Sequence, residues 1–144
     1  MNVGHLARRF ITSLSRREPS PADAAWVDSL LLDGESKLWH RMSVADRRHS
    51  ITVAQRFAAS SLWSREEMAG ALLHDVGKVN CGLGTTARVV ATILGPRTAR
   101  FRRYHDHEQI GADMLAVAGS SAITVALVRG NGPAAEALRH ADDI

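Results

Sequence analysis

Cysteine is almost missing from this chain. Cys81 is the only one among 144 residues, so an intramolecular disulfide and a cysteine-rich zinc site are both excluded. Aromatic residues make up only 5%. β-Branched residues cluster only around Val89–Ile93 and Ile123–Val128, which leaves little to build strands from. No apolar run approaches the ~18 residues that a membrane span needs. No short apolar core follows the basic start, so a secretory signal is not expected. The first 17 residues lack acids and carry Arg8, Arg9, Arg16 and Arg17, a pattern shared with organelle transit peptides. The helical start of a compact enzyme is the simpler reading. Together with the cysteine usage it points to a reducing cytoplasm.

Lysine is scarce as well: Lys37 and Lys78 stand beside 16 arginines. The net charge of +3 is too modest to indicate nucleic-acid binding. The basic residues are also spread along the chain without a base-stacking aromatic motif, so nucleic acid is not an expected partner.

Alanine and leucine at helical spacing dominate what is there. Hydrophobic residues make up 45%, enough for a packed core. The expected fold is all-α, a compact single-domain bundle. Residues 3 to 17 form an amphipathic stretch, with Val3, Leu6, Phe10, Ile11 and Leu14 on one face. It packs on the domain, or else lies on a membrane surface or docks a partner or second copy. Glu18-Pro19-Ser20-Pro21 breaks it. A second helix follows over roughly 22 to 32, then a turn at Asp33-Gly34, then a short helix through Trp39 and His40. Ser43 with Asp46 and Ser64 with Glu67 are capping pairs that open two further helices. Gly82 and Gly84 mark a loop, and residues 86 to 94 form a helix. Asp106 and Gly119 bracket a helix over 107 to 118. Ser121 opens a helix to about Val128. Pro133 suits the first position of the last helix.

Helical periodicity turns several polar residues inward. His49, Val53 and Phe57 recur every four residues, and Asp75 ends a stripe of Met68, Ala71 and Leu72. His107 shares a face with Ile110, Gly111 and Met114. Asp142 lines up with Ala135 and Leu138, whereas Asp143 lines up with Glu136 and Arg139. A lone inward histidine or aspartate has an ordinary structural explanation. The tandem His74-Asp75 at a buried helix edge calls for a common partner, and a cation satisfies both.

Four ordered segments carry a resemblance. They are Arg48-His49-Ser50, Leu72-Leu73-His74-Asp75-Val76-Gly77-Lys78, the run from His107 to Leu115, and Ala141-Asp142. In this order, with the spacing H-x24-HD-x66-D, they resemble the HD-domain superfamily of metal-dependent phosphohydrolases. The resemblance covers roughly residues 43 to 143. It divides the chain into an N-terminal helical extension, 1–42, and an HD-type metal-binding core, 43–144. It implies a bundle with a central metal site, ligated by His49, His74, Asp75 and Asp142.

Two imidazoles and two carboxylates suit one Mn, Fe, Co, Ni or Zn ion better than Mg. The activity implied is hydrolysis of a nucleotide or other phosphorylated small molecule, with a metal-bound water as nucleophile. Asp75 would orient or deprotonate that water. Lys78 either pairs a phosphate oxygen or is a solvated helix-end lysine. His107, Arg102 and Arg103 would add substrate contacts, and His107 a proton. Some relatives complete a second metal site with a later histidine. Here that stretch reads Val128-Arg129-Gly130-Asn131-Gly132, so one metal is expected. The Gly-Tyr-Pro signature of the cyclic-di-GMP-cleaving branch is missing too. The alternative is a non-catalytic metal- or nucleotide-binding module acting through a partner protein.

Overall fold

The computed structural model describes Gly4 and residues 17–80 and 107–143, and every regular element among them is helical. Apart from Gly4 and Arg17, the expected first helix falls outside the described residues, as do the loop around Cys81, the helix expected over 86 to 94, and Asp106. No described helix is long and apolar enough to cross a membrane.

Local side-chain chemistry explains where most helices begin. Helix α1 (Pro21–Leu30) is capped by Ser20, whose hydroxyl accepts from the Asp23 N–H, with Pro21 in its first turn. Helix α2 spans Asp33–Arg41. The expected turn at Asp33-Gly34 is therefore the first turn of a helix. Two interactions impose this. The Glu35 carboxylate accepts from the Leu32 N–H at 2.9 Å, capping the helix from within. Gly34 meets the end of a later helix: a Cβ there would lie 2.2 Å from the Ala118 carbonyl oxygen. Gly34 is thus a close-packing glycine.

Ser43 caps helix α3 (Val44–Ser60), and Ser64 with Glu67 forms the expected capping box on α4 (Arg65–Leu73). His74 ends α4, and a 3-10 helix, Val76–Asn80, follows. Helix α5 (His107–Ala118) stops at Gly119, whose φ of 94° lets the Ser120 N–H return to the Leu115 carbonyl. Ser121 caps α6 (Ala122–Val128). The last helix, α7, spans Ala135–Asp143. Pro133 lies ahead of it in a turn built on Gly130 and Gly132, both at positive φ, and does not occupy its first position.

Helix α4 runs through the middle. It packs on α3 and α6, with α1 and α2 covering it further. Phe57, Met68, Leu72, Leu73 and Leu115 are fully buried at this centre. Val27 and Leu30 from α1 and Trp39 from α2 join the same core, so residues 21 to 42 are part of one packing unit. His40 is exposed beside buried Trp39. Helix α7 lies against α3, and α5 lies against the 3-10 helix. These two contacts bring together the polar residues that are distant in sequence.

Candidate metal centre

Three elements converge at one end of the α3–α4 pair. His49 comes from the second turn of α3, on the face that buries Val53 and Phe57. Its Nε2 lies 2.8 Å from Oδ1 of Asp142, in the last turn of α7. His74 ends α4. Its Nδ1 donates to the Ala71 carbonyl at 2.7 Å, which fixes the ring and leaves Nε2 facing the carboxylates. That Nε2 is buried and has no hydrogen-bond partner. It stands 3.5 Å from Asp75 Oδ2 and 3.6 Å from Asp142 Oδ1. Ligand atoms of His49, His74 and Asp142 all fall within 4.8 Å of one another. Donors that share one ion at roughly 2.0–2.2 Å must be mutual neighbours on this scale. The cluster can therefore hold a metal ion.

Asp75 sits beside this trio, buried in the turn that joins α4, ending at Leu73, to the 3-10 helix starting at Val76. Its Oδ2 is 3.0 Å from Lys78 Nζ, and its Oδ1 is 3.4 Å from His107 Nε2. Lys78 is 5% exposed, which removes the solvated-lysine reading. A buried ammonium needs a countercharge, and Asp75 is three residues away on the same tight turn.

A backbone approach brings His107 here. A Cβ on Gly77 would lie 1.9 Å from the His107 carbonyl oxygen and 2.8 Å from the Gly111 nitrogen. Only a residue without a side chain lets the first turn of α5 sit this close to the 3-10 helix.

The charges are strongly coupled. Burial disfavours the His74 imidazolium, but the carboxylates of Asp75 and Asp142 outweigh it and raise the group from 6.5 to about 9. Burial likewise opposes ionisation of Asp75, yet His74, Lys78 and His107 hold it well below the usual carboxylate range. Asp142 is also lowered: burial and the charge of Asp75 oppose this, while His49 and His74 prevail. Without a metal, the cluster is a network of protonated imidazole and ionised carboxylates.

Of the expected site residues, the structure brings together His49, His74 and Asp142, with Asp75, Lys78 and His107 adjoining. Asp143, the next residue of α7, is exposed. Arg102 and Arg103 lie outside the described residues. Sequence reasoning missed Arg56, whose Nη1 donates to the Ala141 carbonyl at 3.3 Å, next to Asp142. The available signal was its position seven residues after His49, which returns it to the same helix face. No family model matches the chain, no curated protein matches it, and no solved structure matches its fold.

Proposed function

We propose that this chain is an HD-type, metal-dependent phosphohydrolase acting on a nucleotide or other small phosphoester. One observation carries the reading: His49, His74 and Asp142, far apart in sequence, bring their ligand atoms within 4.8 Å of one another, around a buried ring nitrogen that makes no hydrogen bond. An unmet buried nitrogen is costly unless something else fills its lone pair or holds its proton. The order and spacing of the segments His49, His74-Asp75 and Asp142 support the same assignment.

His49, His74 and Asp142, with Asp75 as the fourth, are the residues that would hold one divalent cation. The mixed nitrogen and oxygen set favours Mn, Fe, Co, Ni or Zn over Mg. When bound, such a cation lowers the pKa of a coordinated water and offsets phosphoryl charge. The chain's own groups divide the remaining work. Asp75, kept ionised by its neighbours, orients the attacking water by accepting a hydrogen bond from it. Lys78 Nζ, adjacent to that carboxylate, pairs a phosphoryl oxygen as a point charge. His107 adds a donor for charge developing on the leaving side.

A second reading is a non-catalytic metal- or nucleotide-binding module acting through a partner. It is favoured by the full engagement of Asp75, whose two oxygens already face Lys78, His74 and His107. Elemental analysis of untreated protein comes first, and about one equivalent of a transition metal is expected. A phosphoester panel with Mn²⁺ or Co²⁺ then separates the readings. Turnover that Asp75→Ala abolishes supports the enzyme. Nucleotide binding without turnover supports the module, and turnover that survives Asp75→Ala refutes the mechanism.

A further inference from the structure

Asp142 is held from outside its own helix: its carboxylate meets His49 of α3 at 2.8 Å and His74 at 3.6 Å. His74 is fixed by the Ala71 carbonyl and Asp75 by Lys78, each three residues away. Asp142 lies in the final turn of α7 and relies on contacts from α3. The last four carbonyls of any α-helix have no partner within it, and such ends fray. In α7 these carbonyls include that of Ala141. Arg56 Nη1 donates to it, so a cation also sits at the negative end of the α7 dipole.

His49 and Arg56 are two turns apart on α3, about 10.5 Å along its axis and on nearly the same face. One reaches the Asp142 carboxylate and the other the carbonyl just before it. The end of α7 is therefore gripped at two points by a single rigid helix. Arg56 is half-buried and always charged, so its bond to this carbonyl is charge-assisted.

We infer that Arg56 is a positioning residue for the metal centre: it fixes the last turn of α7 so that Asp142 is held against His49 and His74. This rests on the reading of the cluster as a metal site. The role inferred for Arg56 is exerted through the Ala141 carbonyl and not as a ligand of the cation.

The test is Co²⁺ titration of full-length wild type, Arg56→Ala and Arg56→Lys. It is followed by visible absorption and by amide hydrogen exchange of residues 140–143 in metal-free protein. Arg56→Ala should weaken Co²⁺ binding by about tenfold or more, in line with the loss of a group that orients a ligand. The Co²⁺ band should shift, and Arg56→Lys should recover part of both effects. Exchange in the last turn should rise at least fivefold in metal-free Arg56→Ala. Leu138→Ala, a core change on the same helix, lowers thermal stability and controls for general loosening.

An Arg56→Ala affinity within twofold of wild type, or an effect matched by Leu138→Ala at equal stability loss, would overturn the inference. If wild type binds no Co²⁺, the metal reading fails first. Unchanged exchange at residues 140–143 would then refute the grip on α7 as well.

Discussion

Replacing Gly77 with alanine adds one methyl group where, among the described glycines, a Cβ would meet its neighbours most closely. That methyl would sit 1.9 Å from the His107 carbonyl oxygen and 2.8 Å from both the His107 carbonyl carbon and the Gly111 nitrogen. All three are backbone atoms, so no side-chain rotation relieves the contact. Restoring an ordinary separation of about 3.4 Å requires α5 to retreat by roughly 1.5 Å. Overpacking of this kind costs about 1–3 kcal/mol, and the upper end applies where backbone must move. At roughly 3 °C per kcal/mol for a chain of this size, the midpoint should fall by about 6–9 °C.

Gly111→Ala is the internal comparison. Its methyl meets Gly77 N at 3.0 Å and Val76 Cγ1 at 3.1 Å, contacts that shifts of a few tenths of an ångström relieve. It also gains about 0.8–1 kcal/mol of helix propensity inside α5. The two terms nearly cancel, so a midpoint within about 3 °C of wild type is expected. Thermal unfolding followed by circular dichroism, checked by urea denaturation, reads both variants. If Gly77→Ala were as stable as wild type, or Gly111→Ala the worse of the two, the close approach would not be what places α5.

Three further outcomes follow from the same geometry. The pH profile of metal-free protein should show a plateau. His74 is raised to about 9, so its contribution is complete below 6.5 and is lost as pH rises through 9. Asp75 and Asp142 are lowered, so theirs is complete above 3.8 and is lost as pH falls further. Calorimetry should place the highest midpoint between about pH 4 and 6.5, and a midpoint still rising at pH 8 would contradict the charge assignment.

Because Nδ1 of His74 is committed to Ala71, a metal must displace the proton on Nε2. Apparent affinity should then rise about tenfold per pH unit between pH 7 and 9, and a flat profile would rule out His74 as a ligand. Finally, Glu35 is fully buried and binds the Leu32 N–H, Arg65 at 3.1 Å and the Ser120 hydroxyl at 2.7 Å. Glu35→Ala should cost about 2–3 kcal/mol in urea unfolding. That is less than the ~3–5 of a fully buried pair because Arg65 remains 31% exposed.

Some of this fold is written in neighbouring residues and can be read there. Ser43, Ser64 and Ser121 open helices because a hydroxyl accepts from a backbone N–H three residues on, an event confined to one turn. Gly119 ends α5 for an equally local reason. Asp142 could be preferred to Asp143 because helical periodicity alone separates the two faces of α7.

Gly34 and Lys78 show where that kind of reading stops. A glycine after an aspartate signals a turn when only its neighbours are known, yet Gly34 is there to admit the Ala118 carbonyl. Nothing near Lys78 in sequence reveals that it is buried in a 3-10 helix on which α5 packs. The helical class, the helix starts and the inward-facing histidines and aspartates were thus set by interactions spanning three or four residues. The meeting of His49, His74 and Asp142, the pairing of Asp75 with Lys78 and His107, and the hold of Arg56 on α7 came only with the packing of whole helices. Burial and charge at those positions depend on groups dozens of residues away, which no local pattern encodes.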